Sequence, residues 1–292
     1  MTDIGSVPRI AKSGERGIVN SVHYNLSYVA QGDIRTDAPV VVLLHGFPGD
    51  ATVWQKVTPA FSNFPGIAFD LLGNGQSDRP WPADTSVWGH ADVINLALRS
   101  LELQHIILVG YGLGGGVAQV LATRLLPELV HGLVLIDSFA YQHSFNENWP
   151  LTDMTKRQDP EAPRHTSLAD LEAALRQTIP QGAVNFLSAE TLAAYVAPFQ
   201  SEIGKEMLFQ QISKLTPYYL NAVASDLSHI AAPTLIIWGE KDNVFAPKIG
   251  QQLQRQIPNS TIEIIPNAGH LVLNDAPERV GSSINAFLTQ LS

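Results

Sequence analysis

The sequence of 292 residues contains no cysteine, which excludes disulfides, thiolate metal centres and a thiol nucleophile together. Charge is scarce as well: Asp, Glu, Lys and Arg make up 15% of the chain, and 18 basic against 27 acidic side chains leave a net charge of −9. That sign disfavours nucleic acid and anionic membrane surfaces as partners. Apolar runs as long as eighteen residues are missing, and the opening "MTDIGSVPRIAKSGERG" has no apolar stretch of the kind a secretion signal carries. A soluble, cytoplasmic protein is therefore expected. Two Asn-x-Ser/Thr sequons, at Asn25 and Asn259, then read as chance matches. Oligomeric state is not legible.

What the chain does have is apolar material, 45% of its residues, enough for a large core. Short β-branched runs alternate with stretches of helical period, which predicts an α/β fold. "APVVVLLHG" (38–46), "GIAFD" (66–70), "HIILVG" (105–110), "LVLID" (133–137), "PTLIIWG" (233–239) and "TIEIIP" (261–266) read as strands, and "VHYNLSYVAQGD" (22–33) as a leading hairpin strand. Most are too uniformly apolar for a sheet with one wet face, so helices are expected on both faces of a mostly parallel sheet. Val87, Ala91, Ile94, Leu98 and Leu101 mark one face of an amphipathic helix. The segment 113–126 is apolar nearly all round, as a buried helix would be.

Between about Ser138 and Ser228 this rhythm stops. Three helical patterns appear there instead, Leu168/Leu171/Leu175, Leu192/Tyr195/Phe199 and Met207/Leu208/Ile212/Leu215, punctuated by Pro150, Pro160, Pro163, Pro180, Pro198 and Pro217. The expected division is a core of residues 1–137 and 229–292 and a helical cap of residues 138–228, lying over the edge of the sheet where open α/β sheets bind ligands.

Five short motifs follow one another: "HGFPG" (45–49), "DLLGNGQSD" (70–78), "GYGLGG" (110–115), "WGEKDNVF" (238–245) and "NAGH" (267–270). Each is weak alone. In this order they resemble the α/β-hydrolase fold superfamily, of the capped kind that includes esterases, C–C hydrolases, epoxide hydrolases and dehalogenases, over nearly all of the chain outside the cap. The resemblance implies a nucleophile elbow at "GYGLGG", a sharp strand-to-helix turn that presents a reactive side chain. Its nucleophile position falls on Gly112. Residue 112 cannot attack a substrate, whether glycine there is a natural relief of backbone strain or replaced a Ser or Asp.

The resemblance further implies His270 as general base, Asp242 as the acid that orients it, and the backbone amides of Phe47 and Leu113 as oxyanion-hole donors. Asp137 is a second candidate acid, since some relatives carry the acid after this strand; its other reading is a residue that ends the strand. His45, Asp70 and Ser77 read as structural. Ser138 is a weak substitute nucleophile, without glycines around it. Tyr111 is expected to point away from the site, while Trp81, Trp88, Trp149, Tyr218 and Tyr219 could line an apolar pocket. A dehalogenase would carry Asp at 112 followed by Trp, against the Gly-Leu present.

No metal and no organic cofactor is expected. The histidines at 23, 45, 90, 105, 131, 143, 165, 229 and 270 show neither HExxH nor HxH spacing. "GYGLGG" also fits the dinucleotide pattern GxGxxG, but His131 and Gly132 stand about where that fingerprint places its acidic ribose partner. Three functions stay open: weak, non-covalent hydrolysis of a small, largely apolar ester, lactone or ketone by His-activated water; lyase, cyclase or isomerase chemistry with His270–Asp242 as proton shuttle; and ligand binding without catalysis.

Overall fold

A computed structural model describes residues 10–141, 161–215 and 218–291, the side chains of 218–220 excepted. The apolar runs form one eight-stranded sheet: β1 (Arg16–Asn20), β2 (Asn25–Gln31), β3 (Val40–Leu44), β4 (Gly66–Phe69), β5 (Ile106–Tyr111), β6 (Val130–Ile136), β7 (Thr234–Gly239) and β8 (Ser260–Ile265). Their order is β1-β2-β4-β3-β5-β6-β7-β8. The first two pairings, β1–β2 and β2–β4, are antiparallel, and every later pairing is parallel. Every residue of β3, β4, β5 and β7 is buried, as expected of strands covered on both faces. β1 had no clear pattern in the sequence; it is a mostly exposed edge strand, with Ile18 72% exposed.

Helix α1 (Val87–Ser100) starts at Ser86, whose side chain accepts from the Gly89 amide, and it buries Val87, Ala91, Ile94 and Leu98 as its periodicity predicts. Helix α2 (Leu113–Val120) is buried at every position and runs into a π-helical turn over Leu121–Leu125. Between β6 and β7 the described residues form helices alone: α3 (Ala162–His165), α4 (Leu168–Thr178), α5 (Ala189–Val196), α6 (Glu202–Lys214) and α7 (Tyr218–Ala224). Ser167, Ser188 and Ser201 cap α4, α5 and α6 through their side-chain oxygens. Each cap is worth about 1 kcal/mol. After β7 come α8 (Lys248–Gln256), α9 (Val272–Asp275) and α10 (Pro277–Leu291).

The inserted helices are tied to the sheet by polar as well as apolar contacts. The Asp275 carboxylate accepts from the amides of Val184 and Asn185 and also from that of Gly269, each at 2.8–2.9 Å. Buried Gln210 on α6 accepts from the Ala83 amide at 2.9 Å. One continuous apolar core, from Val19 to Leu288, includes Leu171, Tyr195, Phe199 and Leu208 of the insertion.

Candidate active site

The site begins where β5 stops. Gly112 adopts φ +53°, ψ −117° before α2 opens at Leu113, a conformation that side-chain-bearing residues rarely hold. Four hydrogen bonds fix it: its amide donates to Ile136 O at 3.0 Å, and its carbonyl accepts from the amides of Gly115 (3.0 Å), Gly116 (3.4 Å) and Phe139 (2.9 Å). A Cβ at 112 would meet only the Gly46 Cα, at 3.4 Å. The opposite holds at Gly114, where a Cβ would collide with the carbonyls of Leu44 and His45. Gly114 is thus required by the close approach of α2 to the end of β3, whereas Gly112 leaves space above a strained but well-anchored turn.

Two buried side chains face that space from the far half of the sheet. Asp242 follows β7, and its Oδ1 accepts from the amides of Val244 and Phe245, both at 2.8 Å. Its Oδ2 lies 3.0 Å from Nδ1 of His270, which follows β8. The carboxylate is 0% and the imidazole 11% exposed. With every Asp242 contact made to a donor, the neutral imidazole carries its hydrogen on Nδ1 and keeps a lone pair on Nε2. The loop bearing Asp242 is braced: fully buried Trp238 donates from Nε1 to Phe245 O at 2.9 Å.

The cavity that His270 and Gly112 line is otherwise apolar. Phe47, Phe139 and Phe245 come from the sheet's loops, Leu113 from the start of α2, and Ile179, Tyr195 and Leu215 from the insertion. Leu113 opens α2, where amides have no partner within the helix. The loop bearing Phe47 is braced by His45. Nε2 of this buried imidazole accepts from the Leu71 amide at 2.9 Å, so Nδ1 donates to Gly46 O at 2.7 Å. Burial pushes His45 below the ordinary histidine range, which favours the neutral ring that both bonds need.

Asp70 binds Arg16 at 2.6 Å and accepts from the amides of Ala51 and Gln76; Ser77 donates to Asp70 O at 2.6 Å. Both hold loops and neither lines the cavity. Ser138 is fully buried under α2, with its Oγ accepting from Gln119 at 3.0 Å. Trp81 is 57% exposed, and it and Trp88 lie off the cavity. Trp149 and the side chains of Tyr218 and Tyr219 fall outside the described residues.

Tyr111 does not point away from the site, as its strand position suggested. Gly46 has no side chain to block it, and the ring lies against that glycine. From there its hydroxyl donates to His270 O at 2.9 Å and its ring lines the cavity, 5.8 Å from the imidazole. Tyr195 was legible only as a helix-face residue. Its hydroxyl accepts from Asn274 at 3.1 Å, and burial pushes it up to about 12.

Asp137, next to this pair, is the least satisfied group nearby. It ends β6 at φ +38°, and its Oδ1 accepts from the Gly239 amide at 2.8 Å. Its fully buried Oδ2 has no well-formed hydrogen bond. Burial, and then the charge of Asp242, push this carboxyl well above the ordinary range. Asp137, Asp242 and His270 offer ligand atoms within 4.8 Å of one another, the one such trio among the described residues that could converge on a metal ion. The Asp242–His270 hydrogen bond occupies two of those atoms already.

The fold has recognised counterparts. The family model for the alpha/beta hydrolase fold matches residues 39–277. The chain belongs to the α/β-hydrolase fold family. Epoxide hydrolase 3 of Xenopus tropicalis is 30% identical over 288 residues, 90% of this chain and 74% of that protein. A putative 2-succinyl-6-hydroxy-2,4-cyclohexadiene-1-carboxylate synthase of Bacillus subtilis is 27% identical over 94% of this chain and all of that protein. Among solved structures, a haloalkane dehalogenase from Bradyrhizobium elkani superposes with a TM-score of 0.83 at 23% identity, covering 95% of this α/β-hydrolase and 98% of that chain. No helix among the described residues is long and apolar enough to cross a membrane.

Proposed function

We propose that this α/β-hydrolase is an acid–base enzyme for a small, largely apolar ester, lactone or ketone, with His270 as its base. Asp242 orients the imidazole and stabilises its protonated form. The amides of Phe47 and Leu113 take the negative charge that develops on the substrate oxygen. Residues 138–228 act as a cap that supplies Ile179, Tyr195 and Leu215 to the pocket wall and keeps water ordered or out. One observation carries this reading: a buried, carboxylate-bound imidazole opens onto a pocket at the point where the turn around Gly112 is empty. A pocket that only bound a ligand would gain nothing from orienting a base.

Hydrolysis would then be non-covalent. A water above Gly112 takes the place of the missing nucleophile, gives its proton to His270 and attacks the carbonyl carbon. Triads stripped of a member retain roughly 10³–10⁴-fold catalysis over water, so the substrate is an activated one. A second reading has one feature in its favour: the lining is almost wholly apolar, which suits proton transfer on a ketone without water. His270 then removes and returns a substrate proton, and the two amides hold the enolate. The naming of one relative as a synthase is compatible with such chemistry.

The test is a screen of the natural chain on activated esters, lactones and enolisable ketones, paired with His270→Ala. Turnover should fall at least a hundredfold in the variant. Turnover that survives His270→Ala overturns the assignment of the base. In parallel, Gly112→Ser should react with a fluorophosphonate that leaves the natural chain unlabelled; a folded variant that stays unlabelled would count against the elbow geometry.

A further inference from the structure

At the opposite end of β5 and β6 two imidazoles meet. His105 immediately precedes β5, and His131 is the second residue of β6. Nδ1 of His105 lies 3.0 Å from Nε2 of His131, with the rings edge to face and their centroids 4.5 Å apart. The pairing explains itself only in part. Between neighbouring parallel strands the register runs Ile106↔Val130 and then Ile107↔Gly132, so His131 is the extra residue of a β-bulge. Bulges are uncommon in parallel pairs, and they re-aim a side chain. This one turns the His131 ring onto His105. Nδ1 of His131 bonds the Leu129 carbonyl at 2.9 Å, so it carries the hydrogen and Nε2 presents its lone pair to His105. A backbone carbonyl behind one ring nitrogen is the arrangement that fixes a metal-binding histidine, leaving the other nitrogen as ligand.

We propose that His105 and His131 form a surface site for a divalent transition-metal ion, separate from the candidate active site. Metal–imidazole bonds of about 2.0–2.1 Å bring two nitrogens of one coordination shell to about 3.0–3.4 Å, close to the 3.0 Å at which these two already meet through a hydrogen bond. Cu²⁺ is the tightest binder of the divalent series. Binding needs a lone pair on His105 Nδ1; its hydrogen passes to Nε2 of the same ring by exchange with water, and no other group is displaced. Water completes the coordination shell. Asp37, paired with Arg35 at 3.0 Å, is close enough to interact electrostatically with His105. β5 spans six residues, about 20 Å of extended chain, so the ion would sit far from Gly112.

Calorimetric titration of the untagged chain with Cu²⁺ tests this, together with electron paramagnetic resonance of the one-to-one mixture. One equivalent should bind with nitrogen coordination. His270→Ala should retain that affinity within about twofold, while His105→Ala and His131→Ala each weaken it at least tenfold. Equal binding by all three variants, loss in His270→Ala alone, or no binding by the natural chain would overturn the proposal. A measurement on the unaltered protein guards against variants that fail to fold: substoichiometric Cu²⁺ should broaden the ring-proton resonances of His105 and His131 before those of any other histidine. Earlier broadening elsewhere rejects the site.

Discussion

Asp137 and Asp242 are the same residue type, at the carboxyl ends of adjacent parallel strands, both completely buried as side chains. Their surroundings make them different chemical groups. Asp242 accepts three hydrogen bonds, from two amides and His270, which together replace most of the water a carboxylate loses on burial. Asp137 accepts one well-formed hydrogen bond, from Gly239, with the Val272 amide a weaker donor that leaves Oδ2 short of full geometry, so burial drives it toward its protonated form. Position at a strand end is therefore a poor guide to an acid's role; the number of donors aimed at it is a better one.

The contrast predicts its largest effect in a background where turnover can be read with a nucleophile present. In Gly112→Ser, adding Asp242→Asn should lower kcat/KM on an activated ester by about 10³–10⁴-fold, because the imidazole loses the partner that fixes its tautomer. Asp137→Asn in the same background should change it less than about threefold. Comparable losses would erase the distinction.

The next effect is on folding. Asp242→Ala leaves the Val244 and Phe245 amides and His270 without their acceptor and should destabilise the fold by about 3 kcal/mol in denaturant titrations.

For Asp137 the sign reverses. A carboxyl whose folded value lies above its ordinary 3.8 binds more protons folded than unfolded. Stability then declines as pH rises from that ordinary value towards the raised one, by up to about 1.4 kcal/mol per pH unit. Asp137→Asn should remove this decline, so its melting temperature should gain on the natural chain as pH rises above about 4. A gap independent of pH would mean that Asp137 is ionised in the fold.

The smallest effect belongs to Tyr111→Phe, which removes the hydroxyl bond to His270 O and should cost about 1 kcal/mol, measurable as a shift in the denaturation midpoint.

The sequence carried the strands well, because β3, β4, β5 and β7 are buried on both faces and must be apolar throughout. It carried the order of the motifs too, since the turns at "HGFPG" and "GYGLGG" need glycine for close approach, as Gly114 against Leu44 shows. Edge strand β1 was invisible, because a strand packed on one side at most needs no apolar run. Tyr111 was misplaced for a different reason: its direction depends on an absent side chain at Gly46, 65 residues earlier in the chain. The sparse hydrogen bonding of Asp137 and the meeting of His105 with His131 depend on what lies across neighbouring strands, which no local pattern reveals.

The turn at Gly112 is anchored through main-chain atoms, so its hydrogen bonds do not depend on which side chain the residue carries. Glycine codons that end in a pyrimidine are one base away from serine, aspartate and cysteine, the three side chains that attack most readily from such a position. From such a codon a single point change rearms the turn, at a backbone penalty of about 1–3 kcal/mol, with three different chemistries in reach.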